Sequence, residues 1–252
     1  MKIVTFNLKY NGAGSQDWSH LVETFDADIL LLQETRAPAA ALESKTVWRH
    51  AGGYKWGSAI YIKRGKITPL ELDSFEGWLV GVEVEGFPFS HQAGRPLRIF
   101  SLHAPPKSVS GLNYPETVGK MLDVISQHRK DADLVIGGDF NLLSLGERHD
   151  SELKADGSSW KTTAVEKQIQ ARLRSEFGLV NCWQSANPGV PLSQTLRYSK
   201  NPIPAYHCDG IFVPAAWGTP ISRVMGNTEL YENKPLGRRT SDHNPVLATF
   251  TV

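Results

Sequence analysis

Short apolar, β-rich runs recur along the chain from its first residues to its last: Lys2–Phe6, Asp28–Leu32, Ser58–Lys63, Val80–Val84, Leu97–Leu102, Leu134–Gly137, Asp209–Val213 and Val246–Val252. Gly, Pro and polar clusters bound most of them, as strands require. Helical patterns are few. Pro115–Arg129 carries Val118, Met121, Leu122 and Ile125 at helical spacing behind an early proline, and Thr163–Phe177 carries Ile169, Leu173 and Phe177 on one face. A third helix is expected over Asp17–Phe25 with Ser15 as its N-cap. So few helices cannot cross over between every pair of strands. The expectation is an α+β sandwich, with mixed sheets packed face to face and helices outside. A chain of 252 residues can bury one core or two, but no repeat, low-complexity tract or Gly/Ser linker divides it. A single domain over residues 1–252 is expected.

The polar groups fall in a pattern. Asn7 ends Ile-Val-Thr-Phe, Glu34 ends Ile-Leu-Leu-Leu-Gln, His103 ends Ile-Phe-Ser-Leu, and Asp139 follows Leu-Val-Ile-Gly-Gly. Late in the chain the order reverses, with Asp209 opening Ile-Phe-Val and Asp242-His243 preceding Pro-Val-Leu-Ala-Thr-Phe. Antiparallel neighbours would bring these groups to one sheet edge. A cluster of carboxylates, an amide and imidazoles without a thiolate suits Mg²⁺, Mn²⁺ or Ca²⁺ rather than structural zinc. Mg²⁺ is the expected ion and Mn²⁺ a substitute, with Glu34 the main ligand and Asn7 and Asp242 assisting.

Six strings, Thr-Phe-Asn-Leu-Lys, Leu-Gln-Glu-Thr-Arg, Leu-His-Ala-Pro-Pro, Gly-Gly-Asp-Phe-Asn, Cys-Asp-Gly-Ile-Phe and Ser-Asp-His-Asn-Pro, span the chain in order. Each is weak alone, but the ordered set resembles the motif series of the endonuclease/exonuclease/phosphatase superfamily. The resemblance implies a four-layered α/β sandwich and metal-assisted phosphoester cleavage. By the same resemblance Asn7 and Glu34 match the metal-site pair, and Asp139 and Asn141 match the residues that position and activate the attacking water. Asp209 and His243 resemble the acid–imidazole couple. The chemistry agrees, since a carboxylate on one imidazole nitrogen fixes the tautomer and leaves the other nitrogen for phosphate or a proton. In-line attack by water would need no nucleophilic Ser or Cys.

His103 resembles the histidine of deoxyribonuclease I-like nucleases and of several lipid and inositol phosphoesterases, rather than the tyrosine of exonuclease III-like abasic endonucleases. Lys9 and Arg36 match positions where deoxyribonuclease I-like members carry basic residues facing the DNA backbone, and suit phosphate contacts. One departure stands out: deoxyribonuclease I-type nucleases carry an acid before the strand matching Ser58–Lys63 that supports this histidine. Here Tyr54-Lys55-Trp56-Gly57-Ser58 offers none. Lys55-Trp56-Gly57, Arg238-Arg239, Tyr114, Trp160, Trp183 and Tyr198 are candidates for a substrate rim, or equally for solvated loops and core.

Lys plus Arg total 27 against 26 Asp plus Glu, so the net charge of +1 supplies no global attraction to a polyanion. A local basic patch must hold any nucleic acid. Cys182 and Cys208 lack metal spacing and read as small core hydrophobes. No export signal or membrane-inserting segment is read at the N-terminus, and a cytoplasmic location is expected. No protein partner can be inferred. The leading functional expectation is a divalent-metal-dependent DNA nuclease; the alternative is a phosphoesterase for a lipid, inositol or nucleotide phosphate. A non-catalytic nucleic-acid-binding protein is the third reading, against which the intact polar set argues.

Overall fold

A computed structural model describes residues 1–10, 18–87, 95–147, 162–197, 206–226, 229 and 241–251. Ser15, Asp17, Trp160, Tyr198, Arg238, Arg239 and Val252 lie outside the described residues. The first half contains β1 (Lys2–Asn7), α1 (Trp18–Phe25), β2 (Ile29–Thr35), β3 (Thr46–His50), β4 (Gly57–Ile62), β5 (Lys66–Pro69), β6 (Leu79–Glu85) and β7 (Leu97–His103). The second contains α2 (Lys107–Ser110), α3 (Tyr114–Ser126), β8 (Asp133–Asp139), α4 (Ala164–Ser175), β9 (Leu179–Asn181), α5 (Cys182–Ala186), β10 (Asp209–Pro214), β11 (Ile221–Val224) and β12 (Val246–Thr249).

The strands form two six-stranded mixed sheets, ordered β11-β12-β1-β2-β4-β3 and β5-β6-β7-β8-β10-β9. In each, the one parallel pair is central: β1 with β2, and β7 with β8. Alternation along these strands sorts side chains into layers. On β2, Ile29 and Leu31 face the other sheet among Ile3, Ile60, Val82, Ile99, Val135 and Ile211. Leu30 and Leu32 face outward with Val4 and Phe6, where Trp18, Leu21 and Phe25 of α1 cover them. On the second sheet, Phe100, Leu102, Leu134 and Ile136 face outward under Val118, Met121, Leu122 and Ile125 of α3 and Ile169 and Leu173 of α4. The result is the expected four-layered sandwich.

The major helices begin where local chemistry places them. Asn113 caps α3 through a reciprocal pair, its side chain accepting from the Glu116 N–H while the Glu116 carboxylate accepts from the Asn113 N–H. Thr163 and Glu166 repeat the device on α4. Four strands escaped the sequence reading: β3, β5, β9 and β11. Lys66–Pro69 of β5 is largely exposed and β9 has three residues, so neither carries an apolar alternation to read.

A buried polar bridge crosses the apolar interior between the sheets. Gln33 donates from Nε2 to the Ser101 hydroxyl at 3.0 Å, and Thr5 donates to Gln33 Oε1 at 3.4 Å. All three are buried, and Gln33 directly precedes Glu34, so the bridge registers the sheets immediately below their polar end.

Leu31, fully buried between the sheets, tests this packing: Leu31→Ala should lower stability by roughly 2–5 kcal/mol. Urea unfolding followed by circular dichroism should show a lower midpoint at unchanged slope. An unshifted midpoint would mean that the sheets do not meet there.

Candidate active site

The two sheets deliver their polar groups to the same end. Asn7 closes β1, His103 closes β7, Asp139 closes β8 and Asp209 opens β10. Register aligns His103 and Asp209 with Asp139 from either side. Glu34 lies in a β-bulge of β2, where pairing with β4 shifts between Leu32 and Thr35, and its φ is +50°. A bulge re-aims one side chain out of the strand's alternation. Lys9 and Asn141 also have left-handed backbones, at φ +44° and +52°. Three of the six described non-glycine residues with positive φ thus sit at this rim, where the backbone is held by its surroundings.

Asp139 is the junction. Its Oδ2 accepts from Asn7 Nδ2 at 3.0 Å and lies 3.7 Å from His243 Nε2 and 3.8 Å from His103 Nε2. Its Oδ1 accepts from the Asn141 N–H at 2.9 Å. Asn7 Nδ2 also donates to Glu34 Oε1 at 3.2 Å, and His103 Nε2 is 3.8 Å from the same oxygen. His243 Nδ1 and Asp209 Oδ2 are 2.9 Å apart, as the acid–imidazole expectation requires. Asn141 Nδ2 donates to the Ala104 carbonyl at 2.9 Å.

The outer residues are arranged otherwise than as simple phosphate contacts. Lys9 Nζ reaches Asp242 Oδ2 at 2.5 Å, and the Arg36 guanidinium lies 5.0 Å from the centre of the Tyr10 ring. Asn7 presents its amide nitrogen to Glu34 and Asp139, while its Oδ1 accepts from the Lys9 N–H at 2.9 Å. Ligation through Oδ1 would require this amide to turn over. Trp183 and Cys182 are buried core, and Cys208 is buried beside Asp209.

Several supporting residues were not legible in sequence. Ser241 donates to the Asn7 carbonyl at 2.6 Å and accepts from the His243 N–H at 3.0 Å. Thr195 Oγ1 accepts from the N–H groups of Cys208 and Asp209 at 2.8 and 3.2 Å. Trp56 and Trp78 lie against His103. Ser241 stood within a recognised motif, but no pattern signalled Thr195 or Trp78.

The family model of the Endonuclease/Exonuclease/phosphatase family matches residues 4–243, from the first strand through His243. The chain belongs to this family. Solved structures agree in fold at low identity. A 3'-5' exonuclease from Neisseria meningitidis is 20% identical with a TM-score of 0.63, each chain covered over 100%. An AP endonuclease from Archaeoglobus fulgidus is 17% identical with a TM-score of 0.66, again with 100% of both chains covered. The endonuclease domain of TRAS1, a telomere-specific non-LTR retrotransposon, is 18% identical at a TM-score of 0.58, covering 100% of this chain and 98% of that one. No curated protein sequence matches the chain.

Members of the Endonuclease/Exonuclease/phosphatase family are metal-dependent phosphoester hydrolases, and the electrostatics here suit that chemistry. Burial disfavours the charged form of His243, but the charges of Asp209 and Asp139 and the Asp209 hydrogen bond outweigh it and push its pKa up to about 10. His103 goes the other way. Desolvation, only partly offset by Asp139, pulls its pKa down to about 4, so its 3.8 Å approaches to Glu34 and Asp139 are those of a neutral ring rather than ion pairs. Burial raises Asp139, with Asp209 adding to the effect. Burial likewise raises Glu34, against the Asn7 hydrogen bond.

The donor set fits a hard divalent cation. Four carboxylates converge on this end (Glu34, Asp139, Asp209 and Asp242), while Lys9 and His243 supply the positive charge. Oδ1 of Asp209 is buried with no hydrogen-bond partner among the described residues. Ligand atoms of Asp139, Asp209 and His243 lie within 4.8 Å of one another. The His243–Asp209 hydrogen bond occupies Oδ2 of Asp209, and Asp139 accepts at both of its oxygens, whereas Glu34 is more exposed than either.

The His243–Asp209 pair has a signed consequence for pH. A histidine pKa raised from 6.5 to about 10 stabilises the folded chain fully below about pH 6.5 and loses that contribution as pH climbs toward 10. In EDTA, wild type should exceed His243→Gln in urea stability by more at about pH 6 than at about pH 9.5. A gap that stays constant across that range would show that the imidazole is not held protonated.

Proposed function

We propose that this chain is a magnesium-dependent nuclease that hydrolyses DNA phosphodiesters by in-line attack of water. The observation carrying this reading is the Asp139 carboxylate, bonded to Asn7 at 3.0 Å and flanked within 4 Å by two imidazoles, beside Glu34 at the open end of both sheets. Asp139 and Asn141 position the water, and Asp139 accepts its proton. Burial favours this, because a carboxylate with a raised pKa is a better proton acceptor. His243, held charged by Asp209, donates from Nε2 to a phosphate oxygen and stabilises the growing negative charge, while the ester P–O bond opposite the water breaks and the departing alkoxide takes a proton from solvent. His103, held neutral, donates to a second phosphate oxygen.

Glu34, with Asn7 and Asp242 assisting, would hold the ion, Mg²⁺ by the hardness of these oxygens and Mn²⁺ in its place. When bound, the ion would supply charge neutralisation at phosphorus. Lys9 and Arg36 would reach the flanking phosphates only by leaving Asp242 and the Tyr10 ring. The Neisseria 3' phosphatase structure holds a product DNA hairpin, which supports a DNA substrate for this sandwich. A cytoplasmic setting is supported by Cys182 and Cys208, both buried thiols outside any disulfide. Among the described residues no helix is long and apolar enough to cross a membrane.

Supercoiled plasmid, linear duplex, single-stranded DNA and a panel of small phosphate esters, each with Mg²⁺, Mn²⁺ or EDTA, decide the substrate. Metal-dependent nicking that disappears in Glu34→Ala is the expected result. Inert DNA with turnover of a lipid, inositol or nucleotide ester would keep the mechanism and replace the substrate. The roles separate by mutation: Asp139→Asn and His243→Ala should each lower kcat on the order of 10³-fold with the fold intact, and the double variant should cost little more. Near-wild-type rates in either single variant would overturn the assignment.

A further inference from the structure

Within the site, one buried nitrogen stands apart. His103 Nδ1 has no hydrogen-bond partner among the described residues, although its side chain is only 5% exposed. A buried imidazole usually takes its orientation from a bond at that nitrogen. Here aromatic faces occupy the surroundings. Trp78 lies 4.9 Å from His103, centroid to centroid, and Trp56 lies 5.5 Å away, with planes tilted by 42° and 39°. The indoles meet edge-on at 5.0 Å and 81°, and Tyr54 packs on both, at 4.6 Å from Trp56 and 5.5 Å from Trp78.

The backbone beneath this clasp leaves no slack. The His103 N–H donates to the Trp78 carbonyl at 2.8 Å, and the Ala51 N–H donates to the Trp56 carbonyl at 2.9 Å. Both tryptophans are neighbours of glycines pressed onto the same stretch, Arg49–Ala51. A Cβ on Gly57 would come within 1.8 Å of the Arg49 carbonyl oxygen. One on Gly77, whose φ is +73°, would come within 2.2 Å of the His50 carbonyl. The two indoles therefore rise from one rigid base, and ring contact restrains an imidazole whose Nδ1 edge takes no hydrogen bond among the described residues.

We infer that Trp56 and Trp78 are positioning residues that clasp the His103 ring and aim its Nε2 at the phosphate site beside Glu34 and Asp139. This rests on the phosphoester-hydrolase reading only for its kinetic consequence. In place of a hydrogen bond at Nδ1, the clasp offers contact with two tilted indole rings. The neighbouring carboxylates favour the tautomer with its proton on Nε2, because that N–H points toward both. A smaller side chain at either tryptophan would let the ring swing while its chemistry stayed intact.

The test is a double-mutant cycle on plasmid nicking and on bis(4-nitrophenyl) phosphate hydrolysis, with Mg²⁺. Trp56→Leu and Trp78→Leu should each lower kcat roughly tenfold to a hundredfold with KM little changed, as expected when an aligned group is displaced by about 1 Å. Trp56→Phe, which retains a flat face, should recover most of the loss. In a His103→Ala background either Leu substitution should cost no more than about twofold, because coupling is confined to groups that act through one another. The same loss with and without His103 would overturn the inference and make the tryptophans plain core. Nitrogen-detected NMR of His103 supplies a readout free of activity. Wild type should show one neutral tautomer protonated on Nε2, and Trp56→Leu an exchange-averaged ring. A ring equally ordered in both would overturn the clasp, whereas a wild type that cleaves no phosphoester but passes this NMR test would overturn only the functional reading.

Discussion

The hydrogen bond from Asn7 to Asp139 joins residues 132 positions apart and two different sheets. It exists only because the sheets pack face to face with their polar ends level. Ile3, Ile29 and Leu31 on one side, and Ile99, Val135 and Ile211 on the other, fix that separation by burial. The Gln33–Ser101 bridge fixes the relative register just below it. Displacement between the sheets by one residue would part Asn7 from Asp139 and remove Glu34 from His103.

Burial of so many carboxylates at one end is unfavourable in itself, and the structure answers it unevenly. His243 remains charged between Asp209 and Asp139, whereas His103, the same residue type a few ångströms away, is neutral. The difference is one of partners. His243 has a carboxylate at each nitrogen, and His103 has carboxylates on one side only and indole rings around it. Two histidines in one site thus take different chemical characters from environment alone. The remaining excess of negative charge is a reason for a divalent ion to bind, and Lys9 offsets part of it at Asp242.

The strained backbone follows the same logic. Lys9, Glu34 and Asn141 occupy left-handed conformations where the ladder stops and side chains must turn into the site. Strands alternate sides, so a run such as Ile-Leu-Leu-Leu-Gln-Glu cannot send both Leu32 outward and Glu34 into the site without a break. The bulge between Leu32 and Thr35 is that break. The Asn7 amide, turned nitrogen-first toward two carboxylates, shows similarly that matching a motif identifies a residue without giving its orientation.

The sequence by itself determined the sandwich class, the eight principal strands, the three main helices, and which polar residues gather at one end. It could do so because burial periodicity is local and because apolar runs ended in acids, amides and imidazoles are visible one segment at a time. Tertiary structure alone decided the rest. The short or exposed strands β3, β5, β9 and β11 depend on neighbours for their pairing. Ser241 and Thr195 became supports only through contacts with distant backbone, and Lys9 met Asp242 across 233 positions. Trp56, a rim-or-core candidate in sequence, and Trp78, which no pattern signalled, surround His103 because β4, β6 and β7 converge there. Proximity between residues far apart in the chain is a product of packing, and neither composition nor spacing encodes the angle at which two rings meet.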